Sequence, residues 1–333
     1  MFGSEYIKDI CFIRFFKRGP LISAFLIVIL FSYPTHAFDI RLGTGETGTF
    51  SHFAGRTVCR TINKHTDDIN CQTVPTLDAV DNLTNLQGGS LDIGLIDSRM
   101  LHDAMNKTGY FEFMDISYNN LRTLVPLYNL PFTLVVRSNA KITSLEELKG
   151  KRINAGAPRS IQHLAFDTIV KAKNWSKKDF RLVTELSTSQ SQDTMAFCHC
   201  TIQAMVNIAV HPDSTLQQLF RLCKADLVDM YDNDIEKLVN AHPAYFKIDI
   251  AASVYPSQPM GITTFGTRAV LVASDNLDAE TVFKIIDAIY NNRKRLKSAH
   301  PALSILALDE GQKSAAGIPL HPGAIRYFSE KGM

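Results

Sequence analysis

Two periodicities take turns along the chain. Short apolar runs, some alternating with polar residues, are followed by segments whose apolar residues recur at helical spacing. IRLGTG (40–45) predicts a strand and a turn. FSHFAGRTVCRTINKH (50–65) predicts a helix with Phe53, Val58 and Ile62 on its buried face. CQTV (71–74) predicts a short strand, AVDNLTNLQ (79–87) a helix stopped by Gly88-Gly89, and DIGLI (92–96) a buried strand. LRTLVPLY and PFTLVVR, within 121–137, predict further strands. Ser144, with Glu147 three residues on, has the spacing of a capping box opening a helix. The alternation continues. A strand and turn are predicted at 151–158, then helices at 160–173 and 189–198 and a strand at 204–209. Beyond them follow a helix at 213–222, a strand at 225–231, a helix at 233–240, a strand at 267–274 and a helix at 279–298. Strands alternating with helices predict an α/β chain built on parallel sheets, two of them. Segments near 132–137 and 266–272 are placed to cross between two lobes and leave a cleft between them.

The first 37 residues break the pattern and read as a leader. Arg14, Lys17 and Arg18 precede the uncharged run LISAFLIVILF (21–31), and SYPTHA ends with Thr35 and Ala37 at a small-residue cleavage site. Eleven residues at about 1.5 Å each reach only about half of a ~30 Å hydrocarbon core, which argues against a membrane anchor. Cleavage after Ala37 places the protein in the periplasm. It leaves 333 − 37 = 296 residues, enough for two domains.

Charge adds little. Removing the leader takes four basic and two acidic residues from 35 and 33, leaving 31 of each. A neutral chain without like-charge runs does not read as a nucleic-acid binder. Five cysteines remain, at 59, 71, 198, 200 and 223, so an oxidising compartment allows two bridges with one left over. FCHC (197–200), with His211 downstream, lacks the second close pair that a tetrahedral zinc site needs, so no metal and no cofactor are expected. No G-x-S-x-G elbow marks a hydrolase.

GTGETG (43–48) fits the spacing of a dinucleotide-binding turn after a strand. Export weakens that reading, because nicotinamide pools are cytosolic, and Asp78 is the only candidate for the ribose-binding acid. The same turn at a helix N-terminus presents free amides to any small anion.

Several spaced motifs then occur in one order. They are DIGLIDS, PFTLVVRSNAKITSLEELKGKRINAGAP, HPAYFKIDIAASVYP, TTFGTRAVLVAS and LHPGAIRYFSEKG. Together they resemble the TAXI proteins, solute-binding subunits of tripartite ATP-independent periplasmic (TRAP) transporters. The resemblance covers roughly the whole chain after the leader. It implies a periplasmic-binding-protein fold of type II kind, α/β, with two lobes, a central cleft and a two-strand hinge. The lobes would be residues 38–136 with 265–333, and residues 137–264. It implies a monomer, not an enzyme, that hands a small carboxylate-bearing solute to a TRAP permease in the membrane. A periplasmic sensor that keeps the fold with altered binding is the main alternative, and an exported hydrolase a remote one. The resemblance also pairs Cys59 with Cys71 and Cys198 with Cys223, leaving Cys200 odd.

Solute contacts are then expected from Gly43, Thr44, Gly45, Glu46, Thr47 and Gly48 in the first turn. Thr76 and Asp78 come from the second loop, Asp97 and Ser98 from the end of DIGLI, and Tyr128 from beside the hinge. Pro158, Arg159 and Ser160 come from the facing lobe. Ser98 reads equally as a helix cap. Three of these loops depart from the family pattern: Leu77 and Asp78, and Arg159 and Ile161, stand where glycines are usual, and Asp97 stands where glutamine is. Arg159 could clamp a carboxylate, and Asp78 and Asp97 would favour a solute that also carries a cationic group.

Overall fold

The computed structural model describes residues 37–187, 191–256, 258–305 and 317–332. The leader, apart from Ala37, lies outside the described residues.

Parallel strands β1 (Phe38–Gly43), β2 (Ile69–Val74) and β3 (Ile93–Asp97) form one end of the sheet in the order β2-β1-β3. Two long antiparallel strands follow, β10 (Ile262–Ser274) beside β3 and β4 (Leu121–Arg137) beside β10. Both continue into a second half. There the Phe132–Val136 stretch of β4 pairs with β7 (Ala204–Ile208), and its Leu134–Arg137 stretch pairs with β8 (Ala225–Val228). β7 leads on to β5 (Arg152–Asn154) and β6 (Leu182–Thr184) in parallel. β9 (Phe246–Ile250) pairs with the first residues of β10.

The sheet is therefore mixed, where the alternation predicted parallel sheets. The two crossing strands run against their neighbours, and a strand read from its own residues does not reveal its partner's direction. β4 is one strand of 17 residues, although it holds Pro126 and Pro131. Its register against β10 jumps from Pro126 to Tyr128 between Val270 and Ala269, so Leu127 is the extra residue of a bulge. A bulge is where a strand tolerates a proline that cannot donate to the ladder.

Helices cover both faces. α1 (Phe50–His65), α8 (Ala279–Asn291) and α10 (Pro322–Glu330) bury Val58, Ile62, Ile285, Ile289 and Phe328 against one face of the first half. α2 (Ala79–Gln87) and α3 (Ser98–Asn106) bury Leu83 and Leu101 against the other. In the second half α4 (Ile161–Ala172) and α7 (Asn233–Ala241) share a core around Phe166 and Ile235. α5 (Gln192–Cys198) and α6 (Ser214–Cys223) share another around Phe197 and Phe220.

Four local readings need correction. Residues 145–148 form only a 3-10 turn, and Ser144 makes no side-chain cap. The Glu147 carboxylate accepts instead from the amide and hydroxyl of Thr143, one residue earlier than the capping box requires. The helix expected over 279–298 breaks at Asn292 into α8 and α9 (Arg293–Ala299). β6 and β9 were not expected. Phe53 is 42% exposed rather than buried on α1, with its ring 5.7 Å from that of Phe50.

The disulfides are Cys59–Cys71, tying α1 to β2, and Cys198–Cys223, tying α5 to α6. Cys200 is free and exposed.

Candidate functional site

The turn that leaves the C-terminal end of β1 and the loop that leaves β2 come together. Thr44 is buried, and its carbonyl accepts from Thr76 Oγ1 at 2.8 Å and from Asn82 Nδ2 at 2.6 Å. The first turn and the second loop are thus one hydrogen-bonded unit, with the Thr76 hydroxyl engaged inside it. Gly43 is needed for packing: a Cβ there would lie 2.3 Å from both Asn82 Oδ1 and Leu91 Cδ1. Gly48 is needed for conformation, at φ +93°.

Thr49 caps α1 by accepting from the His52 amide. Among the described residues, the amides of Gly45, Glu46, Thr47, Gly48, Phe50 and Ser51 donate to nothing. Glu46, Thr47 and Gly48 are exposed. This run of unused donors sits at the positive end of a 16-residue helix.

The other expected contacts are mostly helix caps. Asp78 accepts from the amides of Val80 and Asp81 at 2.9 Å each. Asp97 caps α3 by accepting from Arg99 and Met100, and its second oxygen accepts from Thr267 on β10. Burial raises the Asp97 carboxyl above the usual carboxylate range, opposed by those hydrogen bonds. Ser98 is fully buried, donates to the Ala244 carbonyl at 2.9 Å and accepts from the Arg268 amide at 3.0 Å. Ser160 caps α4 by accepting from His163. Pro158 is exposed beside it.

Arg159 is exposed and sits at φ +65°, in the left-handed region that favours glycine. Among the described residues it has no ion pair and no side-chain hydrogen bond. Tyr128 is buried beneath α1, its ring edge-on to Phe50 at 4.8 Å. Burial pushes its hydroxyl above the ordinary phenol range, eased by a hydrogen bond with Ser51.

A cavity of about 570 Å³ opens where the long strands pass between halves. Asn129 and Pro131 of β4, Val210, His211 and Pro212 after β7, Ile248 and Asp249 of β9, and Pro301 and Ala302 line it. None of the residues expected to contact solute does. Its His211 wall is a closed hydrogen-bonded chain. Tyr255 OH accepts from the Asp213 amide at 2.9 Å and lies 2.6 Å from His211 Nδ1. His211 Nε2 lies 3.0 Å from Thr133 Oγ1, which donates to the Pro131 carbonyl. With Tyr255 donating to Nδ1, Nε2 carries the imidazole proton. Burial lowers this histidine from 6.5 to about 4, so it is neutral at pH 7. The sequence offered His211 only as a metal ligand, and the segments holding Pro131, Asp249 and Tyr255 only as parts of longer motifs. That they meet at one cavity follows from the fold, since they come from distant segments.

The sequence model of the NMT1-like family matches residues 42–332, and the chain belongs to that family. The fold is similar to that of a TctC solute binding protein from Polaromonas, with a TM-score of 0.55 at 15% identity over 90% of this chain and 97% of that one. It is also similar to the periplasmic aliphatic sulphonate binding protein SsuA from Escherichia coli. There the TM-score is 0.49 at 14% identity over 87% and 78% of the two chains. The probable amino-acid ABC transporter extracellular-binding protein ytmK from Bacillus subtilis gives 0.49 at 13% identity over 82% and 97%.

Proposed function

We propose that this member of the NMT1-like family is an extracytoplasmic solute-binding protein, exported to the periplasm and not an enzyme. It captures a small carboxylate-bearing solute, either an amino acid such as glutamate or glutamine or a dicarboxylate. It delivers that solute, as a monomer, to the membrane permease of a TRAP-type transporter. The observation that carries the reading is the set of unused amides of Gly45, Glu46, Thr47, Gly48, Phe50 and Ser51 at the N-terminus of α1. Fixed amides and a helix dipole stabilise an anion without a mobile side chain. The Arg159 guanidinium at the start of α4 offers a bidentate partner for a carboxylate from the other half. The likeness in fold to the TctC protein supports a two-lobed arrangement.

The lobes are residues 38–136 with 265–333, and residues 137–264, joined by β4 and β10. Ala244 packs with the first lobe's core although it lies in the second lobe's range. Solute that touches both lobes binds the closed form better and shifts the population toward it.

A thermal-shift screen of amino acids and organic acids tests this, since a ligand of the folded state raises the melting temperature by mass action. The proposal expects a carboxylate-bearing hit that also lowers the scattering radius of gyration. Hits confined to solutes without an anionic group would overturn the carboxylate assignment. N-terminal sequencing of exported protein should begin at Phe38.

A further inference from the structure

We propose that His102, Asp103 and His242 form a binding site for a divalent cation of the zinc class, pinning α3 to the segment that leads into β9. The three side chains bring one ligand atom each to within 4.8 Å of the others. His102 Nδ1 already lies 3.7 Å from Asp103 Oδ1. Ligand atoms about 2.0–2.2 Å from a tetrahedral zinc lie roughly 3.3–3.5 Å apart, so modest side-chain movement closes the set.

A second observation points to a ligand. His102 Nδ1 is buried and has no hydrogen-bond partner. A buried imidazole nitrogen left unpaired is destabilising, and coordination would give it a partner. The ring is not sealed off, since the His102 side chain is 20% exposed and His242 is partly exposed. An ion therefore has a way in.

The surroundings hold the ligands as metal sites require. Asp103 Oδ2 accepts from Arg99 Nε at 2.7 Å, and Oδ1 accepts from Thr108 Oγ1 at 3.0 Å, so the carboxylate is oriented. The His102 and His242 rings lie 4.5 Å apart. His242 Nδ1 accepts a long bond, 3.3 Å, from the Ala244 amide, and coordination through that nitrogen would replace it. Two imidazoles and one carboxylate match zinc, and leave a fourth position for water or another ligand. The adjacent cation Arg99 is already paired with Asp103.

The site would couple to the arrangement of the halves. α3 follows β3 in the first half, while His242 precedes β9, which pairs with the second-half end of β10. Next to it, Ser98 bonds Ala244, and Arg99 bonds Tyr245. A metal here would reinforce a seam that protein groups already close.

The test uses the full chain without a polyhistidine tag, stripped with EDTA and titrated with zinc chloride. The expected result is one equivalent bound at micromolar or tighter affinity, with a melting temperature that rises with zinc concentration. His102→Asn and His242→Asn should each weaken binding at least tenfold while their metal-free melting stays near the parent's. Cobalt loading should give the intense visible absorption of a four-coordinate site in the parent only. If either variant fails to fold, carbethoxylation of the parent decides: zinc should protect His102 and His242. Binding undiminished in both variants, no binding below 100 µM zinc, or no protection would overturn the site.

Discussion

Gly266 faces Pro131 at the point where β10 and β4 pass from one half of the sheet to the other. A Cβ on Gly266 would lie 2.2 Å from the Leu130 carbonyl oxygen and 2.8 Å from Pro131 Cα. Both obstacles are backbone, so no side-chain rotation relieves them. The strands can approach this closely only because position 266 carries no side chain. Gly266→Ala is therefore expected to destabilise the fold by about 1–3 kcal/mol, the range of an overpacked core site. Urea unfolding checks this, and a loss below 0.5 kcal/mol would mean that the strands separate freely at the crossing.

Arg159 gives a prediction of opposite sign. A side chain in the left-handed region costs about 1–2 kcal/mol, and Arg159 makes no compensating contact among the described residues. Arg159→Gly should raise stability by about 1 kcal/mol. If the guanidinium clamps a carboxylate, the same change should weaken solute binding about tenfold or more. Gain of stability with unchanged affinity for a bound solute would leave the anion to the backbone amides alone.

His211 predicts a pH dependence. Unfolded, its imidazole takes up a proton near 6.5; folded, burial delays this to about 4. Between those values the unfolded chain binds more protons, so stability present above pH 6.5 is lost as pH falls toward 4. The drop from 6.5 to about 4 corresponds to roughly 3 kcal/mol at most. Unfolding midpoints at pH 7 and pH 4.5 should differ less for His211→Gln than for the parent. An equal difference would assign the acid lability to other groups.

The elements were most legible where local chemistry and burial agreed. α1 and α2 run over the expected residues because Thr49 and Asp78 cap them and their apolar residues recur at one spacing. SLEEL misled because its cap spacing is real, yet Gly150, at φ +72°, ends the segment after one turn. β6 is three residues long and too short to show any alternation. The site was harder to read for a chemical reason. A side-chain oxygen at a helix N-terminus can serve a solute or the helix itself, and the residue type is the same in both cases. Asp78, Asp97 and Ser160 are engaged with their own helices here. The cavity at the crossing draws Asn129, His211 and Asp249 from three distant segments, a meeting that only the folded chain produces.

The disulfides predict a thiol count. With Cys59–Cys71 and Cys198–Cys223 closed, Cys200 is the one free thiol between Phe38 and Met333. Ellman's reagent on exported, unfolded, unreduced protein should find one thiol per chain, and Cys200→Ser should find none. Opening the 25-residue Cys198–Cys223 loop by Cys223→Ala should cost about 3 kcal/mol. A residual Cys198–Cys200 bridge on peptide mapping would show that the vicinal thiol competes for its neighbour.

Lys173 carries the last prediction. Its side chain is 5% exposed, and its ammonium lies 2.6 Å from Glu146, 2.7 Å from Asp232 and 2.9 Å from Asp234. Burial alone would lower the lysine, but the three carboxylates outweigh it and hold the lysine above its ordinary value. The lysine in turn holds Glu146 and Asp234 below the usual carboxylate range through its hydrogen bonds. The cluster joins the end of α4, the start of α7 and the turn at 145–148, so it fastens three pieces of the second half. Lys173→Met keeps the aliphatic stem but leaves the carboxylates facing one another. The expected loss is about 2 kcal/mol at pH 7, within the range for breaking a charge network. For carboxylates held low in the folded state, stability is present above their unfolded values and is lost as pH falls through the folded ones. Acidification should therefore narrow the gap between parent and variant, and at pH 3 the two should unfold at nearly the same urea concentration. A gap that stays constant from pH 7 to pH 3 would mean that the packing of the stem, rather than the charge, is what Lys173 supplies.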